Sequence, residues 1–194
     1  NGKPYVNQLF LGHTAGGAVA YQDAWLTMLH AGNGGMCFID SVELDEVYTP
    51  IIVKTRRLIP DSEGAGRFRG APGIEVELGP VNCRMEAGFV ADGNINIPKG
   101  ARGGGDAARS DQFRRRKSGK MERLDQCSQV WIEDGEMMLS IACGGGGYGN
   151  PKARDPERVL HDVEEGLVSR KRARKIYGVA ITAANKIDLR KTKE

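Results

Sequence analysis

The chain has 194 residues, with 28 Lys and Arg against 25 Asp and Glu and a net charge of +3. That balance makes no electrostatic case for a nucleic-acid partner, and no apolar run reaches the length of a membrane-spanning helix. The length allows a substantial core in one domain with an appended tail, and 27 glycines without collagen periodicity point to many turns in a strand-rich chain.

Cys37, Cys83, Cys127 and Cys143 are widely spaced, with no C-x-x-C, so neither a zinc ribbon nor a disulfide framework is indicated. Reduced, mostly buried thiols in a cytosolic protein are expected, and no signal peptide is visible. Asn1-Gly2-Lys3-Pro4 lacks an initiator Met and runs straight into strand-like sequence, as a chain cut from something longer would.

Residues 5–11 are apolar and short, and predict a strand ending in the loop Gly12 to Ala18. His13 in that loop could face a ligand or be hydrogen-bonded in a turn; the segment has no second ligand for a metal. Residues 19–30 could form a helix, since Ala18, Tyr21, Trp25 and Leu29 share one face, or could be partly extended. Residues 31–35 break any regular element. Asp40, Glu43, Asp45 and Glu46 form an acidic cluster suited to acid–base work or a hard cation. The favoured reading is a helix start, with Asp40 or Ser41 as N-cap and Glu43 in the first turn.

Thr49 to Leu58 is β-branched with Pro50 at its start, and predicts a strand. Residues 61–66 are a turn cluster. Arg67 and Arg69, flanking Phe68, could grip a carboxylate or phosphate or stand outward on a short strand. Ile74 to Leu78 and Val81 to Phe89 alternate around Gly79-Pro80 and predict a hairpin. Residues 92–128 are polar and weakly patterned. Their basic run, Arg114 to Lys117, lacks an aromatic ladder for base stacking and suits a solvated loop or an acidic neighbour. Val130 to Glu133 and Met137 to Ala142 flank Asp134-Gly135, a type I′ hairpin signal.

Next comes Cys143-Gly144-Gly145-Gly146-Gly147-Tyr148-Gly149-Asn150-Pro151, with five glycines in six positions from 144 to 149. Successive amides there could form an anion-binding nest. The letters contain G-x-G-x-x-G, but a helix that begins only near Asp155 cannot aim its dipole at a pyrophosphate in the loop. A dinucleotide site is therefore rejected in favour of a tight backbone turn. Asp155 then caps a helix with Pro156 at its first position, Val159, Leu160, Val163 and Leu167 form its apolar stripe, and Gly166 ends it. Ser169 caps a second helix that closes at Gly178. Its Lys and Arg residues surround it, as on a solvated face. Residues 179–181 predict a last short strand. The fold class is α+β, strand-rich with β-hairpins and two C-terminal helices. The division expected is a β-rich domain over 1–152 and a helical tail with that last strand over 153–194.

Three co-linear motifs carry a resemblance. Asp61-Ser62-Glu63-Gly64-Ala65-Gly66-Arg67-Phe68-Arg69-Gly70 resembles the D-S-x-G-x-G-x-[FY]-R-G signature of the hydantoinase B/5-oxoprolinase family. Gly144 to Pro151 resembles that family's G-G-G-G-[YF]-G-[DN]-P run. Asp155 to Gly166, with Ala173 and Tyr177-Gly178-Val179, resembles its C-terminal helices, so the likeness spans roughly residues 1–182. It implies a cytoplasmic C-terminal portion of a hydantoinase B-like subunit, inactive alone. Implied partners are the N-terminal part of that subunit, a hydantoinase A-like ATPase chain and a small-molecule substrate, with no nucleic acid or membrane. The implied reaction is ATP-dependent opening of cyclic amides. Alternatives are ketone carboxylation, as in acetone or acetophenone carboxylases, and a non-catalytic module in such a complex. ATP and Mg would be bound by the partner chain, a divalent metal (Zn or Mn) would lie upstream, and no metal site is evident in this chain. Of the family's N-x-P-x-E-type segment, only Glu46 and Pro50 align well. His13, Glu46, Arg67, Arg69, Gly144, Gly145, Gly146 and Gly147 are the binding or interface candidates; no catalytic role is carried over.

Overall fold

A computed structural model describes residues 4–13, 16–26 and 40–192. Its elements are helix α1 (Val42–Tyr48), strands β1 (Ile51–Leu58), β2 (Ile74–Pro80), β3 (Met85–Val90), β4 (Asp111–Arg115), β5 (Met121–Arg123), β6 (Cys127–Ile132) and β7 (Met137–Ala142), then α2 (Pro156–Glu164) and α3 (Arg170–Arg172), which continues as a π turn (Ala173–Tyr177). The predicted α+β class holds: antiparallel strands dominate and two helical segments close the chain.

The main sheet has the order β1-β2-β7-β4-β5, all antiparallel, with β3 and β6 forming a separate two-stranded sheet. One face of β2 (Ile74, Val76, Leu78) packs with Leu11, Val42, Val53 and Leu58 into the first apolar cluster. The second cluster joins Ala65 to Val159, Val168, Ala173, Tyr177 and Val179, so the C-terminal helices cover the turn after β1.

Local chemistry explains the helix ends. The Ser41 hydroxyl accepts from the Leu44 amide at the start of α1, Asp155 caps α2 with Pro156 in its first turn, and Ser169 caps α3. Gly166 and Gly178 end their helices at φ +71° and +77°, a left-handed geometry that favours glycine.

Several sequence expectations are corrected. Residues 5–11 form no strand, because this extended segment has no ladder partner among the described residues. Residues 19–26 hold only a Val19–Gln22 bridge rather than a helix turn, and the remainder of the expected 19–30 helix, with Cys37, lies outside the described residues. β2 and β3 are consecutive but unpaired: β2 lies between β1 and β7, and β3 pairs with β6. Likewise β6 and β7 are not a hairpin. At Glu133-Asp134-Gly135-Glu136 only Gly135 has positive φ, at +79°, and the Glu136 amide donates to the Glu133 carbonyl at 2.9 Å. A single positive φ does not meet type I′, which needs positive φ at both central residues, so the expected hairpin turn is not formed.

The polar stretch 92–128 is not a loop; it holds β4, β5 and the start of β6. Its arginines meet the chain's own carboxylates: Arg114 and Arg116 pair with Glu122 at 2.8 and 2.9 Å, Arg115 with Glu77, and Arg116 also with Glu136. β4 and β5 make the hairpin that the sequence pattern did not reveal. The last strand reduces to a single bridge, Ile181 to Ile187. Cys83, Cys127 and Cys143 are free thiols as expected, but none is buried and Cys127 is exposed. No helix among the described residues is long and apolar enough to cross a membrane.

Candidate functional site

The glycine run leaves β7 and passes between three backbone segments. On one side, the Gly145 and Tyr148 amides donate to the carbonyls of Ala71 (2.8 Å) and Phe68 (3.0 Å), while Gly64 and Phe68 donate back to Gly145 and Tyr148. On the other, Gly147 donates to Gly105 (3.0 Å), Gly149 to Ala101 (2.9 Å), and Ala101 back to Gly147 (2.9 Å). Ala18 donates to the Gly146 carbonyl from a third direction. The run is thus hydrogen-bonded as a central strand would be, without regular strand geometry. The amides of Gly144, Gly145, Gly147, Tyr148 and Gly149, which an anion nest would use, are engaged with carbonyls.

Side chains cannot enter so narrow a seam. A Cβ on Gly145 would overlap the Gly16 carbonyl, and one on Gly70 would overlap the Gly145 carbonyl. Backbone atoms on both sides leave no flexible group to yield, which is why the two motifs carry glycine here.

The signature's polar residues lock the same seam. The Asp61 carboxylate accepts from the Ser169 amide at 2.6 Å, and Ser62 Oγ accepts from the Gly73 amide at 2.7 Å. Glu63 is buried; its Oε1 accepts from Arg172 Nε (2.7 Å) and the Tyr177 hydroxyl (3.0 Å). Burial pushes the Glu63 carboxyl up despite Arg172, and burial followed by the Glu63 charge pushes the Tyr177 hydroxyl up.

Next to the backbone of Arg67 and Arg69 lies a largely buried ion network. Arg154 donates through Nη1 and Nη2 to both Asp23 oxygens (2.6 and 2.9 Å) and through Nε to Asp162 Oδ2 (3.0 Å). Arg69 Nε donates to Asp162 Oδ1 at 3.0 Å, and the Arg69 amide to Asp23 Oδ1 at 2.7 Å. The Arg154 and Asp162 side chains are 1% and 2% exposed. Two buried guanidiniums meet two carboxylates, so the network balances its buried charge, the condition under which such charges are tolerated, and the half-exposed Arg158 adds a contact to Asp23 at 3.7 Å. Burial pushes the Asp23 carboxyl up, but hydrogen bonds and charge from Arg154 outweigh it and leave the pKa lowered.

The sequence candidates therefore separate. Arg69, Gly144, Gly145, Gly146 and Gly147 come together as buried parts of this frame; the carboxylate that Arg69 grips is the chain's own Asp162. Arg67 is exposed and lies 5.5 Å from the Phe68 ring centre. His13 is half-buried against Phe10, and burial lowers its pKa against the opposing pull of Asp40. Glu46 is exposed on α1 and accepts from the Val53 amide at 2.7 Å. Sequence reasoning passed over Asp23, Arg154 and Asp162. Asp162 did leave a signal, as a charge beside Val159 and Val163 on the apolar side of α2. Among the described residues, no three His, Cys, Asp or Glu side chains converge as a metal cage.

The family model for Hydantoinase B/oxoprolinase matches residues 2–151, which include both glycine motifs. The chain belongs to the hydantoinase B/oxoprolinase family. It is 31% identical over 193 residues to the caprolactamase beta subunit of Pseudomonas jessenii, covering 97% of this chain and 33% of that one. The crystal structure of ATP-dependent caprolactamase from that organism superposes with a TM-score of 0.80 at 29% identity, over 92% of this chain and 32% of that one. The B-type subunit of a putative D-/L-hydantoinase from Pseudomonas sp. (strain NS671) is 28% identical over 84% of this chain and 29% of its own. The acetone carboxylase alpha subunit of Xanthobacter autotrophicus is 24% identical over 72% of this chain and 22% of its own. The chain spans about a third of the length of the curated relatives it matches.

Proposed function

We propose that this chain is the C-terminal portion of a hydantoinase B-type subunit in an ATP-dependent enzyme that opens cyclic amides. The observation that carries this reading is the likeness to the caprolactamase beta subunit over 97% of the chain, C-terminal helices included. In that assembly a hydantoinase A-like partner binds ATP and Mg, and the upstream part of the B-type subunit holds a divalent metal, Zn or Mn. Ring opening consumes two waters: one adds across the amide C–N bond, which breaks to an amine and a carboxylate, and one accounts for the conversion of ATP to ADP and phosphate. The complex works in the cytoplasm, where ATP is available.

This portion acts through its rigidity. Arg69 and Gly144 to Gly147 position the seam, and His13, Glu46 and Arg67 are the side chains that meet substrate or a neighbouring chain. A β-rich body over 1–152 and a helical tail over 153–194 form one framework through the Arg69–Asp162 pair. Positioning of this kind contributes to catalysis by fixing reacting groups rather than by proton transfer.

The carboxylase alternative rests on the acetone carboxylase likeness, and the purely structural alternative on the engaged amides of the glycine run. One assay separates the three. The assembly purified with this chain is given a lactam, or acetone with bicarbonate, and ADP release is followed with and without the chain. Lactam-dependent ADP release that requires the chain is the expected result. Acetone-dependent release assigns the carboxylase, and undiminished lactam turnover without the chain assigns a dispensable module.

A further inference from the structure

Helix α1 is arranged in an unusual way. Leu44, Val47 and Tyr48 follow i, i+3, i+4 spacing and share one face, yet they are 56%, 74% and 75% exposed. Ile52 of β1, just after the helix, is also exposed. On another side the same helix buries Asp45, whose Oδ2 has no hydrogen-bond partner among the described residues and whose carboxyl is pushed up by burial and by Asp40. A helix that folded for solvent alone would show the reverse arrangement.

The helix is held firmly. Ser41 caps it, the Thr49 hydroxyl and amide both donate to the Asp45 carbonyl, and Glu46 ties it to the Val53 amide of β1. Val42 anchors it on the first apolar cluster. The apolar face is therefore presented on a fixed support, with the exposed carboxylate of Glu43 beside it.

We propose that this face of α1 docks the rest of the hydantoinase B-type subunit, the part that the relatives have and this chain does not span. The inference rests on the family reading above; what it adds is the surface. Two thirds of the length of the caprolactamase beta subunit lies outside the matched region, enough chain to supply a complementary surface. The occupant is apolar where it meets Leu44, Val47 and Tyr48, with a Lys or Arg where it meets Glu43. Burial of three such side chains makes them the central anchors of an interface.

The test co-produces the tagged chain with the upstream portion of the subunit from the same source and measures how much is captured. The variants are Val47→Glu with Tyr48→Glu, and Val90→Glu as a control at an exposed apolar position of β3. Expected is capture by wild type and control, and at least a tenfold loss in the double variant, a factor of about ten being 1.4 kcal/mol. The double variant's melting temperature, measured on the chain alone, stays that of wild type. Equal capture by the double variant overturns the α1 face and leaves the family reading standing. No capture by wild type overturns both. A wild-type chain that sediments as a dimer, and a monomeric double variant, overturn the proposal in favour of a second copy on this face.

Discussion

The glycine seam and the outer face of α1 use opposite means in one chain. In the seam, polar backbone is buried and largely hydrogen-bonded: the glycine run finds carbonyls or amides on both sides, and charges meet in the Arg69–Asp162–Arg154–Asp23 network. On α1, apolar side chains are exposed and a carboxylate oxygen is buried without a partner among the described residues. The seam closes among the described residues, while the outer face of α1 has no cover among them. A small change should therefore be costly in the first region and almost silent in the second.

The largest effect is expected at the ion network. Asp162→Ala leaves two buried guanidiniums short of a carboxylate and should cost about 3–5 kcal/mol, read by urea denaturation of the full chain. Gly145→Ala places a methyl group against the Gly16 carbonyl and should cost about 3 kcal/mol or more. Gly88→Ala in β3, where nothing lies within 4 Å of the added Cβ, should leave stability unchanged or raise it by about 0.5 kcal/mol. Equal stability of the two alanine variants would break the contrast at once.

A smaller effect comes from pH. Glu122 accepts from Arg116 and Arg114, whose hydrogen bonds lower its pKa from 4.5 to about 2. The folded chain then holds that proton less tightly than the unfolded chain. The stabilisation is present above pH 4.5 and is lost as pH falls toward 2. Glu122→Gln should flatten the acid limb of the melting temperature against pH, and an unchanged limb would place the acid sensitivity elsewhere. Smallest is Val47→Lys on α1, which should move the isolated chain's stability by no more than about 0.5 kcal/mol.

What was legible in the sequence was local. Ser41, Asp155, Pro156, Ser169, Gly166 and Gly178 act through their own backbone neighbours, so the helix ends follow from residue type. Strand identity also followed, along β1 from β-branching, along β2 from alternation and along β7 from its apolar run. Partnership did not, because Val76 pairs with Ser140 and Ala87 with Val130, and such distant registers are set by whole-sheet packing. Nearness in sequence suggested hairpins at Gly79-Pro80 and Asp134-Gly135, and the turn at Gly135 is not type I′. The glycine motifs were visible, but their role required the neighbouring carbonyls of Gly16, Ala65 and Lys99. Asp23 and Arg154 lay hidden because each looked like an ordinary surface charge until the other was placed beside it.

Hydrogen exchange on the isolated full chain reads the closure of the seam amide by amide. The amides of Gly64, Phe68, Gly145, Gly147, Tyr148 and Gly149 should exchange as slowly as those of β2 and β7, because each donates to a carbonyl within the chain. Exchange of those amides at the rate of an open loop would show that the seam is not closed in the chain alone.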